Sequence, residues 1–221
     1  MKPKQAIQPS APVGGALWLK WVLANAIGVA ITFVPSFIAP RVNEALGATA
    51  VSLLALLLGV LIAITAGMLQ WLVLRRYARW ANQWWLVTSI GWIVGGFLAS
   101  YAAFAVLGAR PSTLSFNAVT APVNAAVVGT FQWLVLRRHV RRAGWWVLAS
   151  IAAWAIGERL GLYAGFYVAL YAGAAVGGLG QDLAAMVFSA SFAAVVGALA
   201  GSITGIVLVW LLRHPHLDAP E

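Results

Sequence analysis

The chain has 221 residues, 62% of them hydrophobic and 9% charged, with a mean hydropathy of +0.90. Soluble domains are about 45–50% apolar and about 25% charged, so the apolar excess is more than a water-soluble core of this size hides, and lipid must solvate much of the surface. The net charge of +9 does not indicate nucleic acid, because the basic residues fall at the ends of apolar stretches, where they meet anionic lipid; the absence of cysteine excludes disulfides and thiolate chemistry.

A polar tail, residues 1–15, carries Lys2 and Lys4. Six apolar stretches follow, through 16–39, 49–74, 83–107, 114–136, 144–172 and 184–212, and a second tail spans 213–221. Each stretch is long enough to cross ~30 Å of hydrocarbon at ~1.5 Å per residue. None shows the period-two alternation of a barrel strand. The first is too long for a signal-peptide core and shows no cleavage site, so it reads as a retained helix. The expectation is an all-α membrane protein with six transmembrane helices and no room for a soluble catalytic domain.

Basic residues orient these helices. Lys2, Lys4, Lys20, Arg75, Arg76, Arg79, Arg137, Arg138, Arg141, Arg142 and Arg213 fall on one side, eleven of the fourteen Lys and Arg. Arg41 and Arg110 fall in the opposite loops and Arg159 lies inside a span. The positive-inside rule therefore places both termini in the cytoplasm, which for a bacterial protein means a multi-pass protein of the inner membrane. Trp18, Trp21, Trp71, Trp80, Trp84, Trp85, Trp133, Trp145, Trp146 and Trp210 gather near the same face, as an aromatic belt would.

Internal repetition is written into the spans. Residues 67–76 read GMLQWLVLRR and residues 129–138 read GTFQWLVLRR, an offset of 62, and a weaker copy, GSITGIVLVWLLR, begins at Gly201. WVLAN at 21–25, WLVTS at 85–89 and WVLAS at 146–150 repeat along the odd-numbered spans. The unit is a two-helix hairpin used three times, over about 16–76, 80–138 and 142–213. Each copy contains an even number of spans, so all three share one topology, and a pseudo-threefold bundle is expected. In the third copy the even span is offset by 72 and the odd one by 61, which predicts a longer Gly-rich outer loop near 173–183.

Small residues recur four apart: Ala63 and Gly67, Ala125 and Gly129, Gly197, Gly201 and Gly205, Gly91, Gly95 and Ala99, and Gly157, Gly161 and Gly165. That spacing lets helix backbones approach closely, so these positions are expected to be packing seams. A polar set repeats as well, with Asn25, Ser89 and Ser150 on odd helices and Gln70, Gln132 and Thr204 on even ones. Two readings fit this ring: hydrogen-bonded glue between helices at about 0.6–2 kcal/mol per bond, or a holder for a ligand, ion or water.

Glu158 and Arg159 are the ionisable residues deep in a span. A charge there costs at least about 2.5–3.5 kcal/mol, which makes it a functional-site hypothesis. The two are adjacent, so they point about 100° apart and need separate partners. Protonation would also remove the Glu158 charge; otherwise polar groups such as Asn117 or Asn124 would face it. Tyr163, Tyr167 and Tyr171 continue the Arg159 face outward. That stripe reads either as an access path for an anionic or aromatic ligand, or as a snorkelling arginine below an outer aromatic belt.

There is no HExxH, P-loop, GxSxG or Cys-based metal site. GGLGQD at 177–182 lacks a strand–helix context and reads as a loop; His214 and His216 lie in a short tail, and His139 in a basic turn. No cofactor is indicated. The QWLVLRR and WWVLAS hairpins resemble a loose group of uncharacterised bacterial polytopic membrane proteins over most of the chain, and the resemblance brings no activity with it. Three two-helix repeats are also similar in architecture to mitochondrial carriers. The Pro-x-Asp/Glu-x-x-Lys/Arg signature and the long matrix segments of that family are missing, so the likeness stops at geometry.

The expected function is that of a non-enzymatic membrane protein that binds a small ligand or lipid or serves as a subunit, with Glu158 and Arg159 as its polar site. The alternatives are a small transporter or channel for an ion or anionic solute, and an accessory subunit docking other membrane subunits through its Gly-rich faces. Anionic lipids are the expected partners at the cytoplasmic face.

Overall fold

A computed structural model describes residues 12–32, 34–108, 112–178 and 180–215, with the side chains at 34–46, 48, 113, 114 and 182 set aside. Lys2, Lys4, Arg110 and His216, and the side chain of Arg41, lie outside the described residues. Among the described residues the chain forms six α-helices and no strand: α1 Gly15–Ile31, α2 Val34–Leu74, α3 Trp84–Leu107, α4 Thr113–Leu136, α5 Trp145–Ala175 and α6 Gln181–Leu212, with a 3-10 turn at Arg79–Gln83 before α3. Five helical segments are long and apolar enough to cross a membrane, and Leu57, Phe97 and Ile206 are among many large apolar side chains left exposed. This is the architecture of a multi-pass helical membrane protein.

The first hairpin departs from the expected boundaries. α1 has 17 residues and stops at Ile31, where the Thr32 hydroxyl donates to the Val29 carbonyl at 2.6 Å. Pro35 suits the first turn of a new helix, and α2 begins at Val34. Its 41 residues are interrupted at Gly47, whose φ of 81° and ψ of 173° belong to a region that only glycine enters without strain. The apolar segment used for spanning starts at Thr49. The first apolar stretch is thus a short helix and the start of a second one, rather than one span through 39.

The third hairpin departs in another way. α5 and α6 have 31 and 32 residues, against 24 in both α3 and α4. The extra length predicted for a loop is instead extra helix. What remains is a tight turn, where Gly177 and Gly178 take positive φ and the Gly178 amide donates to the Gly173 carbonyl at 2.8 Å.

Each helix packs against its neighbours in the chain, and α1 packs against α6, so the helices close into a ring. The glycine seams make that closure possible. A Cβ added at Gly197 would stand 2.5 Å from the Ala26 Cα, and one at Gly201 2.8 Å from the Val22 Cα, both on α1. One at Gly67 would stand 2.5 Å from the Trp85 carbonyl oxygen on α3; at Gly129, 3.1 Å from the Ser150 Cβ on α5; at Gly161, 2.5 Å from the Val196 Cγ2 on α6. Gly157 meets Val196 on α6, and Gly205 lies under the Trp18 and Trp21 rings of α1. Every one of these predicted seams is filled by a helix of the same chain.

At one end of the ring the turns and the described termini come together. Leu17, Leu74, Trp84, Leu136, Trp146, Leu208 and Leu211 form a buried cluster there. Arg213 donates from Nε and Nη2 to the Val13 carbonyl at 3.2 and 3.1 Å, the Arg141 amide donates to the His214 carbonyl at 3.2 Å, and Val140 forms an isolated bridge with Pro215. Arg75 and Arg137 each lie over the tryptophan one turn back, Trp71 and Trp133, at 4.9 Å.

Backbone contact makes the seams intolerant of even one methyl group. Gly197→Ala is expected to lower stability by about 1–3 kcal/mol, read as a reduced midpoint of thermal unfolding in detergent. Gly59→Ala, where an added Cβ meets nothing within 4 Å, is expected to leave the midpoint unchanged or raise it.

Candidate functional site

Two structures occupy the inside of the ring, one saturated with hydrogen bonds and one not. The first is a tryptophan–glutamine layer. Trp21, Trp84 and Trp146, from α1, α3 and α5, are 1%, 0% and 1% exposed, and their rings meet edge to face with centroids 6.0, 5.9 and 5.7 Å apart. Each indole N–H donates to a polar side chain of an even helix: Trp84 to Gln70 Oε1 at 2.9 Å, Trp146 to Gln132 Oε1 at 2.9 Å, and Trp21 to Thr204 Oγ1 at 3.0 Å.

The glutamines tie these contacts together. Gln132 Nε2 donates to Gln70 Oε1 at 3.1 Å and to Thr88 Oγ1 at 2.9 Å, while Gln70 Nε2 donates to Asn25 Oδ1 at 3.0 Å. Asn25 Nδ2 returns to the Trp21 carbonyl at 2.8 Å, and the Thr204 hydroxyl donates to the Ala200 carbonyl. The expected polar ring is therefore present with changes. Asn25, Gln70, Gln132 and Thr204 share the network. Ser89 and Ser150 are buried but bond main-chain carbonyls of their own helices, Trp85 at 2.7 Å and Trp146 at 2.9 Å, and Ser89 also reaches the Ala63 carbonyl at 3.2 Å.

Thr88, fully buried, takes the place expected for Ser89. The same one-residue shift moves the tryptophan: Trp84 is buried and Trp85 is 37% exposed. Where two tryptophans are adjacent, only one faces inward, because successive helical residues point about 100° apart. The layer also corrects the aromatic belt. Trp145 and Trp85 are exposed, but Trp21, Trp84 and Trp146 are core residues.

The second structure is a cavity of about 290 Å³ lined by residues of α1, α3, α4, α5 and α6. Trp92 and Trp154, edge to face with centroids 5.2 Å apart, contribute to its wall together with Ser100, Thr120, Asn124 and Glu158. A smaller chamber of about 20 Å³ lies between the same two tryptophans and Asn25 and Gln70 of the polar layer, room for about one water molecule. A groove of about 500 Å³ shares Thr32, Trp92, Gly96, Ser100 and Asn124 with the cavity. Its further lining, including Leu56, Val60, Ile93 and the exposed Phe97, runs between α2 and α3.

Glu158 Oε2 and Asn124 Oδ1 are shut off from solvent and have no hydrogen-bond partner among the described residues. Of the polar partners expected for Glu158, Asn124 shares its cavity and Asn117 is not among the lining residues. A Cβ at Gly95 would strike Asn124 Oδ1, so Gly95 is what leaves room for that side chain.

Arg159, Tyr163 and Tyr167 are not brought to this cavity. Arg159 is exposed, and Tyr163, Tyr167 and Tyr171 are 64%, 50% and 69% exposed on the outside of the bundle, with Tyr167 and Tyr171 stacked at 6.3 Å. Glu158 thus lines the cavity while the adjacent Arg159 is exposed and does not. Sequence reasoning missed Trp92 and Trp154, although their spacing of 62 matches that of the QWLVLRR motifs and could have singled them out.

No family model matches the chain, and neither the curated proteins nor the solved structures yield a match.

The inward register of α3 has a direct check. Trp84→Phe removes a buried indole and the Gln70 contact it makes, with an expected loss of about 1–3 kcal/mol. Trp85→Phe is expected to stay within about 0.5 kcal/mol. Equal losses in thermal unfolding of the two variants would contradict the register.

Proposed function

We propose that the chain is a non-enzymatic integral membrane protein that binds a small ligand in an intramembrane cavity built on Glu158. The observation that carries this reading is the Glu158 carboxyl at the wall of the cavity, with Oε2 buried and unpartnered among the described residues. An occupant of the cavity that donates a hydrogen bond to the accessible part of the Glu158 carboxyl would stabilise that group. The volume approaches the ~300 Å³ lower end of small-molecule sites, and the mixture of apolar walls with a few polar groups is typical of them. Ligand binding rather than catalysis is favoured because, among the described residues, the lining contains one carboxylate and no histidine, lysine or cysteine to work with it.

In this reading three helical hairpins, at about 16–76, 80–138 and 142–213, surround a pseudo-threefold axis. It is supported by the QWLVLRR recurrence and by the three Trp-to-even-helix bonds. The arginine-rich turns face the cytoplasm at the bacterial inner membrane, among anionic headgroups, as the positive-inside rule requires. The tryptophan–glutamine layer is then the cytoplasmic seal and the Glu158 cavity belongs to the outer half. Transport is the second reading, favoured by the small chamber that joins the cavity wall to the polar layer. An anionic solute is not favoured, since the cavity offers an acid and Arg159 faces away from it.

The absence of native cysteine makes the arrangement testable by single substitutions. Thr120→Cys and Ser100→Cys are expected to react with a membrane-impermeant maleimide added from the outer face of the membrane. Thr88→Cys is expected to stay unlabelled from both sides. Labelling of Thr88→Cys at the rate of Thr120→Cys, or protection of both cavity positions, would sink the reading.

A further inference from the structure

Resting on the ligand-binding reading, we infer that the occupant is an amphipathic amine: a cationic ammonium head beside Glu158, with one hydrocarbon tail leaving through the groove between α2 and α3. Three features of the molecule converge on this class. The first is charge. Glu158 is the only ionisable residue among the described residues of the cavity lining, and the described lining of the adjacent groove adds none. Its neighbour Arg159 is exposed and lines neither space. A ligand cation beside the carboxylate supplies an opposite charge and a hydrogen-bond donor.

The second feature is the aromatic wall. Trp92 and Trp154 line the cavity as an edge-to-face pair. An ammonium against an indole face gains about 2 kcal/mol or more once desolvated, which a neutral or anionic head does not. The third is the exit. The cavity does not end at its polar groups. It continues past Gly96 and Ser100 into a larger groove whose lining includes Ala55, Leu56, Val60, Ile93 and Phe97. Leu56 and Phe97 are exposed on the lipid-facing surface. A head fixed at Glu158 therefore places a tail where it meets hydrocarbon side chains first and the acyl region of the bilayer next. Because no cation lines either space among the described residues, a head that also carries a phosphate would find no partner there for its anion, which favours a simple amine over an aminophospholipid.

The test uses the full chain in a neutral maltoside detergent and isothermal titration with four probes, decylamine, decanol, decanoate and lysophosphatidylethanolamine, and with ethylamine as a tailless control. Decylamine is expected to bind at least about tenfold more tightly than the other three. Glu158→Gln is expected to bring decylamine down to the level of decanol. Gly96→Leu, at a position where an added Cβ meets nothing within 4 Å, puts a side chain into the junction between cavity and groove. It should weaken binding of decylamine while sparing ethylamine.

Decanol and decylamine binding alike, both lost in Gly96→Leu, would overturn the amine assignment and leave the cavity as a ligand site. Binding of every probe unaffected by Gly96→Leu would overturn the cavity itself. Lysophosphatidylethanolamine matching decylamine would also overturn the proposal, by making a lipid headgroup the source of the ammonium.

Discussion

Helices surrounded by hydrocarbon gain little by hiding leucine from lipid, because the lipid is as apolar as the side chain. What can hold them together is close backbone approach and polar contacts withheld from the surroundings. This chain uses the first at its helix contacts and the second on its axis. Gly197 and Gly201 bring α6 onto α1, Gly67 brings α2 onto α3, Gly129 brings α4 onto α5, and Gly161 with Gly165 brings α5 onto α6. The ring closes because the seam between its last and first helices is as tight as those between sequence neighbours. The same approach sets the radius inside, and the radius decides what the interior can hold.

The interior is divided along its length. At the end where the turns meet, three indoles fill the axis and every indole N–H has an acceptor, with Gln70 and Gln132 bridging what the indoles leave open. Polar groups this well satisfied make a rigid stopper that excludes water. Beyond Trp92 and Trp154 the character reverses: smaller residues line the space, such as Gly96, Ala99 and Ala121, and Glu158 Oε2 and Asn124 Oδ1 have no partner among the described residues. Among the described residues the fold thus pairs its buried polar groups at one end and leaves two acceptors unpaired at the other, and the proposed ligand site lies at the unpaired end.

Much of this was legible before the structure. Periodicity of small residues located each seam, and the offset of 62 between QWLVLRR motifs placed Gln70 and Gln132 at one level. The positions that were misread share a cause: sequence spacing gives an angle around a helix only when the register is known. WW at 84–85 admits two registers, and choosing Trp85 carried Ser89 with it, whereas packing selected Trp84 and Thr88. Glu158 and Arg159 were grouped because they are adjacent, but adjacency on a helix separates side chains. The short α1 and the lengthened α5 and α6 were invisible for another reason, since hydropathy registers apolar length without showing where a glycine or a proline breaks it.

The third hairpin is where the proposed repeat diverges, and the divergence bears on function. Where α2 and α4 carry Gln–Trp, α6 carries Thr204–Gly205. Threonine is too short to bridge the axis; it accepts the Trp21 indole and returns its own proton to the Ala200 carbonyl. Gly205 makes room for the rings of Trp18 and Trp21, and the Trp18 indole donates to the Ser202 carbonyl at 3.1 Å. These changes let α1 settle closely on α6. On the odd helices the divergence runs toward chemistry. With Trp92 matched to Trp154, Gly96 falls where α5 has Glu158, so one hairpin presents an open wall and another a carboxylate to the same cavity. A strictly threefold bundle would have put three acids on the axis, each repelling the others, or none. In the proposed repeat, this divergence leaves a single carboxylate with space beside it, on the side where Gly96 lines both the cavity and the groove.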